Sequence, residues 1–105
     1  MARFNFVVHS NPASGRDEEY NHWYSSQHMK ELRAIPSIVS ARRFKLAGTQ
    51  IRDGVPEHQY LAIYEIEADD VKTFIEEMMA RTADGRIQRS TAMSADVNPW
   101  FWEEI

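Results

Sequence analysis

The first strand of this chain is marked by an alternation of hydrophobic and polar positions. Residues 3–9 repeat with a period of two, so that Phe4, Phe6 and Val8 share one face and His9 ends the other. This period predicts a half-buried β-strand, because successive side chains of a strand point to opposite faces.

Three further segments have strand character: 37–46, 59–66 and 96–103. They are rich in β-branched and aromatic residues, and the segment 47–58 between the first two contains the glycines and proline of an exposed hairpin loop. Pro99 lacks a backbone N–H, which predicts that the last strand lies at a sheet edge.

Helical signals separate these strands. The first predicted helix runs from Asp17 to Ala34, before Pro36, and Ser14-x-x-Asp17 could form its capping box. The second is predicted after Asp69 as its N-cap, with a break at Gly85. Its apolar residues recur at helical spacing: Val71, Phe74, Ile75, Met78 and Met79.

The order of elements is β-α-β-β-α-β, which predicts an α+β domain of ferredoxin-like type with two helices on one face of a four-stranded sheet. We expect a single domain over residues 1–105, since 105 residues would leave two domains without usable cores. The strands are apolar on both sides, with Val39 and Ala41 opposite Ile38 and Phe44. The face without helices would expose a large apolar patch, so we expect a homodimer.

Composition narrows the possible partners and compartments. The net charge is −4 and the sequence pI about 5.5, with dispersed basic residues, which argues against a nucleic-acid partner. The chain has no cysteine and no apolar run of membrane-spanning length or signal-peptide type. We therefore expect a cytoplasmic protein with no membrane partner.

The first helix carries the strongest candidates for chemistry. At 100° per residue, one face presents an aromatic and apolar stripe with Trp23 and Gln27 at its edge; the stripe consists of Tyr20, Tyr24, His28, Leu32 and Ile35. His28 lies on the buried side and can exchange a proton near neutral pH, whereas His22 faces solvent. The alternative is that His28 is a core histidine bonded to a backbone carbonyl.

Other polar candidates are more ambiguous. His9 could reach a pocket or lie at the surface, and His58 is expected to be solvated. Arg42 and Arg43 point to opposite sheet faces, so one could enter a pocket as an anion clamp while the other is exposed. His22 and His28 diverge by about 120° on the helix, and we predict no metal site.

The C-terminal aromatic residues form a separate feature. Trp100 and Trp102 share one side of the last strand and Phe101 faces the other. They predict packing in the core or across a dimer interface.

The stretch from Glu19-Tyr20-Asn21 through Trp23-Tyr24 to His28, followed by Pro36 and Ala41-Arg42-Arg43-Phe44, resembles the ethyl tert-butyl ether degradation (EthD-like) family of the dimeric α+β barrel superfamily. The resemblance covers residues 5–46 well and the remainder by element order. It implies a homodimer with a small hydrophobic pocket in each subunit, and it implies His28 as the catalytic candidate.

The leading hypothesis is an enzyme without cofactor that catalyses proton transfer on an aromatic or polyketide-like substrate, by dehydration, cyclisation, isomerisation or a lyase reaction. His28 would be the general acid/base, Tyr24 or Tyr64 would bond the substrate oxygen, and Trp23 would wall the pocket. Three residues complete the substrate-binding candidates: Tyr20, His9 and Arg43. The alternatives are a non-catalytic dimer that binds a hydrophobic ligand or responds to stress, and an accessory subunit of an oxygenase.

Overall fold

The computed structural model describes residues 1–105 and has the predicted order of elements. The strands are β1 (Ala2–Ser10), β2 (Ile38–Lys45), β3 (Tyr60–Ala68) and β4 (Asn98–Glu103). The first helix consists of α1 (Asp17–Trp23), a π-helical turn (Tyr24–His28) and α2 (Met29–Arg33), which follow one another without a break. The second helix is α3 (Val71–Ala83).

The sheet has the strand order β2-β3-β1-β4, and all its neighbours are antiparallel. This is the predicted α+β arrangement of ferredoxin-like type. β4 lies at an edge of the sheet and pairs only with β1. Pro99 has no N–H to donate, and an edge strand tolerates this because one of its sides has no partner strand. The edge position predicted for the last strand is confirmed.

One face of the sheet carries the core. Phe6 lies at its centre, stacked on Phe101 with ring centroids 4.3 Å apart and an interplanar angle of 9°. Phe74 of α3 meets Phe6 edge-on at 6.0 Å, and Tyr64 packs beside it at 5.8 Å. These contacts link β1 to its neighbours β3 and β4 and to α3. The buried face of β1 is therefore the face that the alternation predicted.

The opposite face has no covering element within the chain. Trp100 and Trp102 are 61% and 59% exposed there, and Phe44 is 42% exposed. Val7 and Ile63 lie between them in the central strands. This face therefore carries exposed aromatic residues on both edge strands, next to charged residues that include Arg3, Glu65 and Arg42.

The alternation in β2 is interrupted. The β2–β3 register shifts between Ile38 and Ser40. As a result, Ile38 and Ala41 both pack on the core and Val39 is exposed, so the prediction that Val39 and Ala41 share a face is wrong. One extra residue in a strand reverses the sides of the residues that follow it.

Two predicted helix caps are also wrong. The N-cap of α1 is Arg16 and makes no side-chain cap bond, so Ser14 stands two residues too early for a capping box. Gly15, with φ of +75°, turns the chain between them. The N-cap of α3 is Asp70, not Asp69, and its carboxylate accepts a 2.8 Å hydrogen bond from the Thr73 N–H.

No helix of the chain has both the length and the hydropathy that crossing a membrane requires.

Candidate functional site

A cavity of about 840 Å³ lies between the first helix, the core face of the sheet, α3 and the irregular segment 86–97. Thirteen of its twenty lining residues are hydrophobic, and apolar lining of this kind is typical of small-molecule pockets. Aromatic and methionine side chains dominate its walls: Phe6, Trp23, Tyr24, Tyr64, Met78, Met79 and Met93. Segment 86–97 supplies one wall, and its residues 86–95 have neither a strand nor a helix pattern in the sequence.

His28 lies in this wall between two aromatic rings. Its imidazole stacks on Trp23, with centroids 4.7 Å apart and an interplanar angle of 23°. Tyr24 meets the imidazole edge-on at 4.9 Å. Burial lowers the pKa of His28 below its ordinary value because the charged imidazolium loses hydration, and the nearby Glu31 carboxylate opposes this in part.

The two nitrogens of His28 have different surroundings. Nδ1 is enclosed, has no hydrogen-bond partner and lies 3.7 Å from Oε1 of Glu31. Nε2 is not enclosed, so it is the nitrogen that a molecule in the cavity could meet. Such an imidazole can take or give one proton at a defined atom.

Two phenols stand beside the imidazole. The Tyr64 hydroxyl donates to the Tyr24 hydroxyl over 3.3 Å, and both side chains line the cavity. Burial raises the pKa of Tyr24 to about 12 and raises the pKa of Tyr64 in the same direction. Both groups are therefore neutral at physiological pH and can serve as hydrogen-bond donors.

The π-helical turn sets the position of His28. The Met29 N–H bonds to the carbonyl of Tyr24, five residues earlier, so Met29 takes the inward position that His28 would have in a regular α-helix. Met29 is 3% exposed, and the His28 side chain, at 18%, stands at the cavity wall. The turn thus separates a core residue from a residue that is available to a ligand.

Arg43 and Tyr20 do not line the cavity, although both contact Tyr24. The Arg43 guanidinium lies 4.5 Å from the centroid of the Tyr24 ring and donates to Ser25 Oγ at 2.8 Å and Asn21 Oδ1 at 2.9 Å. The Tyr20 hydroxyl shares a 2.7 Å hydrogen bond with Ser10 Oγ. Their contacts support the aromatic wall from outside the cavity.

His9 lies apart from the cavity, on the uncovered face of the sheet, with its ring 6.2 Å from that of His58. The expectation that His58 is solvated is wrong. It is 7% exposed, and its Nε2 lies 3.1 Å from the carbonyl oxygen of Asp96, a contact across 38 residues. Glu57, His58 and Asp96 bring metal-capable atoms within 4.8 Å of one another, but none of the three lines the cavity.

Glu31 is the site residue that the sequence analysis missed. Its carboxylate faces His28 Nδ1, accepts from the Gln88 backbone N–H at 3.1 Å and from Gln27 Nε2 at 3.1 Å. The i, i+3 spacing of His28 and Glu31 was the available signal, because residues three apart are neighbours on a helix.

No family model matches the chain, and no curated protein matches it. Among solved structures, an EthD family protein from Bacillus halodurans C-125 superposes with a TM-score of 0.62 at 14% identity, with full coverage of both chains. The chain is EthD-like in fold. The resemblance noted in the helix-1 residues thus agrees with the architecture.

Two other structures share the fold of this chain. A monooxygenase candidate from Shewanella loihica PV-4 has a TM-score of 0.65 at 13% identity, over 99% of this chain and 95% of that one. A dimeric ferredoxin-like protein of unknown function from Thermobifida fusca YX has a TM-score of 0.64 at 12% identity, over 98% and 92%. Similarity at this level of identity shows a common fold and leaves the chemistry to the site.

Proposed function

We propose that this EthD-like chain is a cofactor-free enzyme that catalyses proton transfer on a small aromatic or polyketide-like substrate bound in the cavity. The observation that carries the proposal is the imidazole of His28, which presents one accessible nitrogen at the wall of an apolar cavity. The reaction is a dehydration, a cyclisation, an isomerisation or a lyase step that begins with removal of a proton from carbon or oxygen.

His28 is the general acid/base. Its pKa is lowered by burial, so the neutral form that accepts a proton prevails at neutral pH. Tyr24 is a neutral donor next to it, its own hydroxyl oxygen accepting from Tyr64, and it stabilises the oxygen on which negative charge develops when the proton leaves. Trp23, stacked on the imidazole, provides a flat apolar wall for a planar substrate.

The volume and lining of the cavity support the same class of substrate. A volume of about 840 Å³ is within the range of small-molecule sites and accommodates a molecule of several fused rings. Hydrophobic walls with few polar groups favour a neutral, mostly apolar compound over a sugar, a nucleotide or an amino acid.

Deuterium exchange tests the proposal without knowledge of the natural substrate. A panel of aryl ketones and aryl 1,3-diketones is incubated with the protein in D₂O, and exchange at the carbon next to the carbonyl is followed by NMR. We expect His28→Ala to lower the protein-dependent exchange rate by about 10²–10⁴-fold, the usual contribution of a positioned acid/base.

His22→Ala is the matched control, because His22 is an exposed histidine on the same helix. It should exchange at the wild-type rate. If His28→Ala folds and also exchanges at the wild-type rate, the role of His28 is wrong.

We also propose that the protein acts as a homodimer through the uncovered face of the sheet. The support is the exposed apolar surface around Trp100, Trp102 and Phe44, and a dimeric protein is among the neighbours of the same fold. An exposed patch of this kind is unusual for a monomer.

The second candidate is a non-catalytic protein that holds a hydrophobic ligand. The predominantly apolar lining of the cavity favours it, because binding alone needs no acid/base. Native mass spectrometry of the purified protein with the same ketones distinguishes the two. Saturable binding with no exchange supports a carrier, or an accessory subunit of an oxygenase, over an enzyme.

A further inference from the structure

We propose that Glu31 is a positioning residue that fixes the tautomer of His28, so that the proton sits on Nδ1 and Nε2 is the free base. The effect of this tautomer on catalysis rests on the proposed function, whereas the assignment of the proton to Nδ1 does not. Glu31 is three residues after His28 on the first helix, and its carboxylate is the only acidic group in contact with the ring.

The geometry supports this assignment of the proton. Nδ1 is sealed from solvent, so its partner has to come from the protein, and Oε1 of Glu31 is 3.7 Å away. This separation is within ion-pair range and longer than a hydrogen bond. A carboxylate that faces Nδ1 favours the tautomer with the proton on that nitrogen.

Glu31 is itself held in place. Oε1 accepts from the backbone N–H of Gln88 and Oε2 accepts from Gln27 Nε2, both at 3.1 Å. Gln27 Nε2 also lies 3.1 Å from Oε1 of Gln88. Two of these contacts cross from the first helix to segment 86–97, so the carboxylate that orients the base also anchors a wall of the cavity.

The assignment can be told apart from the tautomer preference of the free residue. In free neutral histidine the form with the proton on Nε2 predominates, so a dominant Nδ1–H form indicates a protein partner at Nδ1. The other ionisable groups around His28 do not supply it: neither Tyr24 nor Tyr64 makes a hydrogen bond to Nδ1, and Arg43 and Arg89 are cations with no acceptor.

The test is ¹⁵N NMR of the uniformly labelled full chain, with the His28 ring signals assigned by their loss in His28→Gln. At a pH where the ring is neutral, we expect the wild-type protein to show a protonated Nδ1 and an unprotonated Nε2. A wild-type His28 with its proton on Nε2 overturns the proposal, and this measurement requires no variant other than the one used for assignment.

Glu31→Gln provides the second measurement, since the amide keeps an acceptor for the Gln88 N–H and removes the charge. We expect the pKa of His28 to fall further and the population with the proton on Nε2 to rise. Glu77→Gln is the matched control, because Glu77 pairs with Arg81 on α3 and does not contact His28. An unchanged His28 titration in Glu31→Gln contradicts the proposal.

Activity separates this proposal from the proposed function. In the deuterium-exchange assay, Glu31→Gln should lower kcat by about 10-fold or more with little change in KM, as expected for loss of an orienting partner. If the NMR result holds and His28→Ala retains wild-type exchange, Glu31 positions an imidazole that is not the base. If His28→Ala loses exchange and the NMR result fails, His28 is the base without this support.

Discussion

Burial disfavours the charged form of both His28 and Tyr24. It lowers the pKa of the His28 imidazole and raises the pKa of the Tyr24 hydroxyl to about 12. Both are held by contacts within the first helix and the aromatic wall, so their ionisation is linked to folding. A group whose pKa differs between the folded and unfolded chain makes stability depend on pH.

Acid should destabilise the fold through His28. Its pKa is lowered in the folded chain, so the unfolded chain takes up the proton first as the pH falls below about 6.5. The stability that His28 contributes is present above that pH and is lost as the pH falls through its folded value. We expect the urea midpoint of His28→Gln to fall less than that of the wild type between about pH 7.5 and 5.

His22→Gln is the control for this measurement, because it removes an exposed histidine and should keep the wild-type pH dependence. Equal losses of stability for the wild type and His28→Gln would contradict the assigned direction.

Alkali should destabilise the fold through Tyr24. Its pKa is raised to about 12, whereas a tyrosine in an unfolded chain ionises near pH ~10. The contribution is therefore complete below about pH 10 and is lost as the pH rises toward about 12. Tyr24→Phe should lose less stability over this range in alkaline urea titrations, and tyrosinate absorbance should show one late-titrating group fewer. Equal titration curves would exclude this role.

At the scale of elements, the first helix changes its period so that two residues five positions apart both face the core. A regular α-helix through Tyr24 would turn Met29 away from the core, since five residues advance 500°. The π-helical turn keeps Tyr24 and Met29 both buried and leaves His28 at the cavity wall. π-turns within helices are often found at functional sites, and here the turn is what gives His28 its access.

The N-terminus of α3 offers a direct test of a cap. Asp70 accepts a hydrogen bond from the Thr73 N–H, whereas the adjacent Asp69 caps nothing. We expect Asp70→Ala to lower the melting temperature by several degrees, because a donor in the first turn loses its partner. Asp69→Ala is the matched control and should melt as the wild type does; calorimetry measures both. A larger effect of Asp69→Ala would show that the cap is misassigned.

At the scale of the whole molecule, the two faces of β4 have different surroundings. Phe101 stacks on Phe6 in the core, while Trp100 and Trp102 point to the uncovered face. Core packing and the proposed dimer contact are therefore on opposite sides of one strand and can be separated by substitution.

We expect the double variant Trp100→Ala/Trp102→Ala to fold and to dissociate. Central interface aromatics contribute roughly 2 kcal/mol or more each to association. Light scattering over a dilution series should show a dimer for the wild type and a monomer for the double variant. Phe101→Ala is the counterpart and should remain dimeric while losing stability toward the low end of about 3–5 kcal/mol.

A double variant that stays dimeric at all dilutions would exclude this face as the interface. Deletion of residues 100–105 removes both faces of β4 at once, so it should unfold or aggregate and cannot distinguish the core from the interface.

The sequence alone was sufficient for the fold class, the order of elements and the two sides of β1 and β4. These follow from periods of 2 and 3.6 residues, which are set by neighbours along the chain and so are visible in the sequence. The same reasoning placed Tyr24 and His28 on the buried side of the first helix with Trp23 at its edge, and the structure gives the innermost position to Met29 in place of His28.

Only the tertiary structure decided which of these residues share a cavity. The contact of Glu31 with Gln88 spans 57 residues, and that of His58 with Asp96 spans 38. Both pairings depend on the path of the irregular segment 86–97, which contains Gln88 and Asp96. That path cannot be predicted from the sequence because an irregular segment has no hydrophobic period. The π-helical turn and the shifted register in β2 were also not predictable from the sequence. The packing of distant elements determines where a helix or a strand departs from its regular period.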